Sequence, residues 1–259
     1  MKIQKSIVLL VVGISPILPI EVPLKLPMLS PRSANAAVLF ENLDGSKRYV
    51  FNQKRAGHRY SPASTFKILN TLIALQEKVL PNADSVIKWD GTVHDFPDWN
   101  KDQTLRTAFK ASCVWFYQAL AEKIGPEKYR QYLGKVKFGN RKTGSSVKMF
   151  WLDSSLQISA KEQIDFLKNL RTNKLSFEAK NIQLLKELML IEDQKSYKIF
   201  AKTGWVMQAI PQIGWYVGFI ETKDDTWFFS INLDVHSKDD LKLRQVILIE
   251  TMREVGISE

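Results

Sequence analysis

One cysteine, Cys113, and three histidines, His58, His94 and His236, are all that 259 residues offer of those two types. A single thiol excludes an intramolecular disulfide and any multi-cysteine metal site, and in an exported chain it is expected to be buried. The histidines are far apart and show neither H-x-H nor H-E-x-x-H spacing, so no zinc enzyme and no metal is expected. No serine stands in a G-x-S-x-G elbow and no S-D-N triplet occurs, which counts against two other arrangements of serine hydrolases. Repeats and low-complexity segments are also missing.

Charge of one sign is not concentrated anywhere. The formal net charge is +10, but the basic residues alternate with acids, as in 122-EKIGPEKYRQYLGKVK-137, and no basic block carries interleaved aromatics. A solvated surface explains that pattern, and no nucleic-acid partner is expected. A long apolar run is lacking too, because Pro16 and Pro19 cut the N-terminal one below a comfortable membrane span. Lys2 and Lys5 precede that run, and 34-ANA-36 offers a small-residue cleavage site. This is the layout of a signal peptide over residues 1–36, cut near Ala36, leaving a secreted, periplasmic domain over 37–259 with no stable membrane span.

What is present is an ordinary globular pattern, 45% hydrophobic and 25% charged, with room for a sizeable core. The segment 37–52 reads as two strands around Asp44-Gly45-Ser46. Helical patterns follow at 104–112, 114–125, 126–134, 159–170 and 177–190; Ser159 and Glu162 have the spacing of a capping box. Strand patterns return at 197–205, 213–222 and 226–235, and a helix over 239–255 closes the chain. The expected fold is therefore α+β. An antiparallel sheet is built from the N- and C-terminal strands and flanked by helices, with an all-helical lobe inserted over roughly 80–190.

Within 61-SPASTFKILNTLIALQ-76, Lys67 interrupts an apolar helical run three residues after Ser64. Ser61-Pro62 marks the helix start, which puts Ser64 in the first turn and Lys67 on the same face. The surrounding Ile68, Leu69, Leu72, Ile73 and Leu75 mark a buried helix, and a desolvated lysine loses its proton more readily. A neutral amine beside a hydroxyl is a general base for a nucleophilic serine. S-x-x-K alone recurs by chance, so partners are required: a second hydroxyl and a basic strand flanking the pocket. Ser112 lies between two expected helices, and Lys202-Thr203-Gly204 ends a strand pattern that leads into Trp205. A second K-T-G, at Lys142-Thr143-Gly144, sits in a polar stretch without strand pattern and reads as a turn.

With these residues in view, the chain resembles the class D (oxacillinase-type) β-lactamases over essentially its whole length after residue 36. The resemblance is carried by 60-YSPASTFKILN-70, 99-WNKDQTLRTAFKASCVWFYQ-118, 138-FGN-140, 150-FWLDSSLQIS-159, 202-KTGW-205, 214-GWYVGFIE-221 and 243-LRQ-245. It implies a serine β-lactamase fold and a β-lactam substrate. Ser64 matches the acylated serine. Lys67 matches a lysine carboxylated on its side-chain nitrogen by carbon dioxide or bicarbonate, the general base, with no separate cofactor. Trp151 matches the indole that holds that group, Val114 its apolar wall, and Ser112 a proton relay. Lys202, Thr203 and Arg244 match residues facing the substrate carboxylate, with Gly204 and Trp205 on the same strand and an oxyanion hole from the N–H groups of Ser64 and Trp205. Phe138 departs from the tyrosine common at its position. A penicillin-binding sensor that is acylated without turnover is the alternative; a transpeptidase is disfavoured by valine rather than asparagine at 114. Either a monomer or a homodimer is compatible with the sequence.

Overall fold

The computed structural model describes residues 20–26 and 35–258. Most of the expected leader over 1–36 lies outside the described residues. Its part from Ile20 to Pro23 forms strand β1, followed by the hairpin β2 (Ala36–Asn42) and β3 (Lys47–Phe51). A short helix α1 (Gln53–Ala56) and β4 (Arg59–Tyr60) lead to α2 (Lys67–Gln76), α3 (Leu105–Lys110), α4 (Val114–Ile124) and α5 (Pro126–Lys135). After β5 (Ile158–Ser159) come α6 (Ala160–Arg171) and α7 (Ala179–Met189). The strands β6 (Leu190–Asp193), β7 (Tyr197–Val206), β8 (Gln212–Thr222) and β9 (Thr226–Val235) precede the closing helix α8 (Leu243–Glu254).

Seven strands make the main sheet in the order β1-β3-β2-β9-β8-β7-β6. Every neighbouring pair is antiparallel except β1 on β3. The two chain ends meet where β2 pairs with β9, from Ala36↔Leu233 to Asn42↔Trp227, which is the expected α+β arrangement. Edge strand β1 continues into Leu24 and Leu26, both buried, and Glu21 pairs with Arg48 at 3.4 Å. A cut after Ala36 would remove this strand and uncover the apolar residues beneath it.

Strand β9 is buried along its whole length, so both faces must be covered. Trp227, Phe229, Ile231 and Leu233 point into one core with Ile247, Leu248 and Met252 of α8. Phe228 faces the other core, shared with α2, α4 and α6. Below that face a polar ladder sits in the interior: Arg55 donates to Asn232 at 2.7 Å and pairs with Asp234 at 2.8 Å. Burial of charge is tolerated there because the Arg55 and Asp234 charges meet each other.

Helix ends follow local chemistry. Ser159 and Glu162 form the expected reciprocal cap of α6. Glu162 also pairs with Arg59, and Asp165 is exposed. The final helix is shorter than the expected 239–255. Residues Lys238–Lys242 form a 3₁₀ turn instead, capped by the Asp240 carboxylate, which accepts from the N–H groups of His236 and Ser237.

Candidate active site

Ser64 does not occupy the first turn of an α-helix, as the sequence pattern predicts. It sits on a 3₁₀ turn, Ala63–Phe66, and α2 begins only at Lys67. The Pro62 carbonyl accepts from both the Thr65 N–H, at 3.1 Å, and the Thr65 hydroxyl, at 2.7 Å, which tightens the turn to an i→i+3 pattern. Ala63 is held at φ 45, a left-handed conformation unfavourable for an L side chain. The turn presents Ser64 half-exposed while Lys67 is 1% exposed.

Lys67 Nζ donates to Ser64 Oγ at 2.8 Å. Burial, reinforced by the nearby Lys202 charge, holds the Lys67 pKa well below the ordinary amine range. Its nitrogen also lies 5.1 Å from the centre of the Tyr117 ring, and the Tyr117 hydroxyl is hydrogen-bonded to Thr71 at 2.8 Å. Thr71 is one helical turn beyond Lys67, a spacing that would have flagged it in the sequence; Tyr117 comes from α4 and carried no such signal.

Trp151 is fully buried, and its indole Nε1–H has no hydrogen-bond partner. A buried donor without an acceptor is costly and points to a group that the ring is built to meet. Its ring stacks on Phe66, the residue before Lys67, at 5.7 Å between centroids. Ser61, read from the sequence only as part of a helix start, fixes this tryptophan: its hydroxyl donates to the Trp151 carbonyl at 2.8 Å. The Ser61 carbonyl in turn accepts from Trp215 Nε1 at 2.9 Å. One residue thereby ties the Ser64 turn to the Trp151 loop and to β8.

The third group comes from the sheet. Lys202 of β7 donates to Ser112 Oγ at 3.0 Å and to the Thr203 carbonyl at 3.2 Å. Burial and the Arg244 charge bring its pKa down to about 7. Ser112 sits at φ 56 between α3 and α4, the second left-handed non-glycine residue at the cleft. Arg244, in the first turn of α8, donates to the Gly204 carbonyl at 3.0 Å, and burial lowers its pKa to about 10. Gly204 is required where β7 passes the Ser64 turn: a Cβ there would stand 3.0 Å from the Pro62 carbonyl and 3.1 Å from Thr65 Cγ2. Trp205 donates its indole N–H to Gln212 at 2.8 Å.

These residues converge on one cleft of about 370 Å³, lined by Ser64, Ser112, Val114, Thr203, Gly204, Trp205 and Arg244. Lys67, Trp151 and Lys202 lie beneath its floor, buried. The sequence did not point to the apolar wall formed by Phe96, Met149, Leu152 and Met207, because these come from three separate loops with no shared motif. Trp99 completes that wall, held by its N–H to the Ala111 carbonyl at 2.9 Å.

Departures from the resemblance are absorbed by packing. Phe138 is buried edge-on against Phe66 and Phe166. Gly139 follows at φ 50, where a Cβ would collide with the Gln157 carbonyl. Cys113 is fully buried, as expected, and burial pushes its thiol up to about 11, which makes it an inert small hydrophobe. The second K-T-G lies in a loop with Gly144 at φ 55.

Comparison with known proteins gives the same picture. Residues 31–253 match the penicillin binding protein transpeptidase domain. The chain is 40% identical to β-lactamase OXA-48 of Klebsiella pneumoniae over 224 residues, 86% of this chain and 84% of that one. It is 36% identical to a probable β-lactamase, YbxI, of Bacillus subtilis, with 87% and 83% covered. Among solved structures, the class D β-lactamase FUS-1 (OXA-85) of Fusobacterium nucleatum superposes with a TM-score of 0.84 at 36% identity, over 87% of this chain and 94% of that one. A class D β-lactamase YbXI from Nostoc superposes with a TM-score of 0.84 at 37% identity, covering 85% and 93%. Fold and cleft define a serine enzyme of the penicillin-binding type. Within that group, the chain belongs to the class D β-lactamases.

Proposed function

We propose that the protein opens the β-lactam ring of penicillin-type antibiotics through an acyl-serine intermediate, with Lys67 carboxylated on Nζ as its general base. The observation that carries this reading is the 2.8 Å contact between Ser64 Oγ, reachable from the cleft, and the buried Lys67 amine. The names of the relatives support the substrate class.

Two features of the chain fit a carboxylated lysine. Only an unprotonated amine has the lone pair that attacks carbon dioxide, and burial favours that form of Lys67. An oxygen placed on Lys67 would also give the orphaned Trp151 indole donor an acceptor. The modification supplies an anionic oxygen base in place of a neutral nitrogen.

In the proposed reaction, Ser64 Oγ bonds to the lactam carbonyl carbon as its proton leaves toward Lys67. The displaced electron pair settles on the carbonyl oxygen, held by the N–H groups of Ser64 and Trp205. On collapse the ring C–N bond breaks, and Ser112 passes its proton to the departing nitrogen. Lys202, 3.0 Å behind Ser112, replaces that proton. Thr203 and Arg244 hold the substrate carboxylate, the latter with a planar fork suited to it. The proton first taken by Lys67 returns through solvent to Lys202. A water molecule then attacks the ester carbon and gives one proton to Lys67, which passes it to Ser64 Oγ as the ester C–O bond breaks and frees the serine. Val114 and the apolar wall keep other water away from the base. Export to the periplasm after removal of a leader belongs to the same proposal.

Mixing the purified protein with a chromogenic cephalosporin in bicarbonate buffer tests the reading. Many turnovers per molecule are expected. A single stoichiometric burst would replace the hydrolase with an acylated sensor.

A further inference from the structure

Trp151 belongs to no helix or strand, yet it is fully buried. Its ring is fixed by apolar contact, stacked on Phe66 with 26° between the planes and standing at 90° to Phe150. Such packing sets the plane of an indole but is weakly directional within that plane. The main chain must aim the N–H. Around Trp151 the loop bonds to itself: the Asp153 N–H donates to the Met149 carbonyl at 2.9 Å, and the Leu156 N–H to the Phe150 carbonyl at 2.8 Å. The Trp151 carbonyl instead accepts from the Ser61 hydroxyl, across 90 residues.

Ser61 suits an anchor because it is itself held. It is buried, and its carbonyl accepts from Trp215 Nε1 of β8 at 2.9 Å. Three residues on stands Ser64, on a turn that α6 also grips: Gln163 Nε2 donates to Thr65 Oγ1 at 2.9 Å. One buried hydroxyl thus joins the frame of Ser64 and Lys67 to the frame of the indole. Without it the loop would keep its ring packing and its own hydrogen bonds but lose its directional tie to that turn.

We propose that Ser61 is a positioning residue for the general base: by holding the Trp151 main chain it aims the indole N–H at carboxylated Lys67, and so sets how much carbon dioxide the enzyme needs. The inference rests on the carboxylated-lysine reading above. Carboxylation forms one bond, from the Lys67 Nζ lone pair to the carbon of carbon dioxide. A C=O electron pair moves onto oxygen, and one N–H proton leaves to water. The product is an anion, and a hydrogen bond to an anion is among the stronger ones. An indole that has drifted from its aim gives up part of that bond, and the equilibrium moves back toward free amine and carbon dioxide. Ser64 and Lys67, which share one turn, keep their own contact.

The test is a titration with ¹³C-labelled bicarbonate, read by NMR as the carbamate carbon signal that Lys67→Ala lacks. Ser61→Ala is expected to raise the bicarbonate concentration at half occupancy by about fivefold, the scale of one hydrogen bond. High bicarbonate should restore its kcat, with KM little changed throughout. Ser61→Thr keeps a hydroxyl and should recover most of the parental midpoint. Ser61→Cys, which fills the site with a weak donor, should shift the midpoint in the same direction as alanine, so the outcome does not depend on the alanine variant folding. Thr251→Val removes another buried hydroxyl bond, to the Ile247 carbonyl within α8, and is expected to leave the midpoint unmoved. A parental midpoint in Ser61→Ala or Ser61→Cys overturns the positioning role, and so does an equal shift in Thr251→Val. A parent that shows no carbamate signal at any bicarbonate concentration would sink the carboxylated-lysine reading itself, and this inference with it.

Discussion

Two buried lysines meet two serines at this cleft, and they reach them by different routes. Lys67 finds Ser64 three residues away on its own turn, at 2.8 Å. Lys202 finds Ser112 ninety residues away, from the edge of a sheet, at 3.0 Å. Both amines are held below their ordinary pKa by burial, yet their surroundings differ. Lys67 faces a tyrosine ring, and Trp151, whose indole donor has no acceptor, stacks on Phe66 beside it in the chain. Lys202 donates to a hydroxyl and a carbonyl and has the Arg244 charge behind it. On the proposed reading, one environment suits a nitrogen that takes up carbon dioxide. The other is suited to a nitrogen that exchanges protons near neutral pH. Burial alone does not assign a lysine its chemistry; the polar atoms left around it do.

The comparison can be broken most decisively at Lys67. Lys67→Ala is expected to lower kcat by about 10³-fold, the scale of a lost general base. Whatever acyl-enzyme forms should persist on Ser64, visible by mass spectrometry. Hydrolysis at the parental rate would mean that the two lysines have been assigned the wrong way round. A smaller effect is expected at the residue behind Lys202. Arg244→Ala should reduce kcat/KM by about 10²-fold through loss of a charged hydrogen bond to the substrate carboxylate, with KM carrying most of the change. An unchanged kcat/KM would remove Arg244 from substrate binding.

The smallest effect is on stability, and it sharpens the contrast. Lys202 titrates at about 7 in the folded chain against an ordinary value of 10.5, so between those values the unfolded chain binds more protons than the folded one. Stability contributed by this group therefore rises with pH from about 7 toward 10.5 and is flat below. Lys202→Met should remove part of the rise in Tm measured between pH 7 and 9 in bicarbonate-free buffer. An identical slope in parent and variant would show that Lys202 is not neutralised by its surroundings.

How much of this was legible beforehand depended on distance along the chain. The hairpin around Gly45, the cap of α6 by Ser159 and Glu162, and the three C-terminal strands each rest on short-range rules, and each stands as expected. The S-x-x-K pair was readable because three residues of one turn bring its members together. Choosing Lys202 over Lys142 was possible because strand periodicity surrounds only the former. The 3₁₀ turn under Ser64 was not readable, since it follows from the tight bonds of Thr65 back to Pro62. The role of Ser61 beyond a helix start was not readable for a similar reason: its partners, Trp151 and Trp215, are 90 and 154 residues away. Strand β1 fell inside a segment whose composition matches a leader, and composition does not reveal a parallel edge pairing.

The sequence by itself determined the class of fold, the Ser64–Lys67 pair and the strand that carries Lys202, because apolar periodicity and short spacings act through local geometry. Only the tertiary structure decided that the Trp151 indole is left without an acceptor, which hydroxyl receives the second lysine and where β6 releases the edge of β7. Those outcomes depend on side chains that meet across the packed interior. No local rule constrains such meetings; the exclusion of water from the core does.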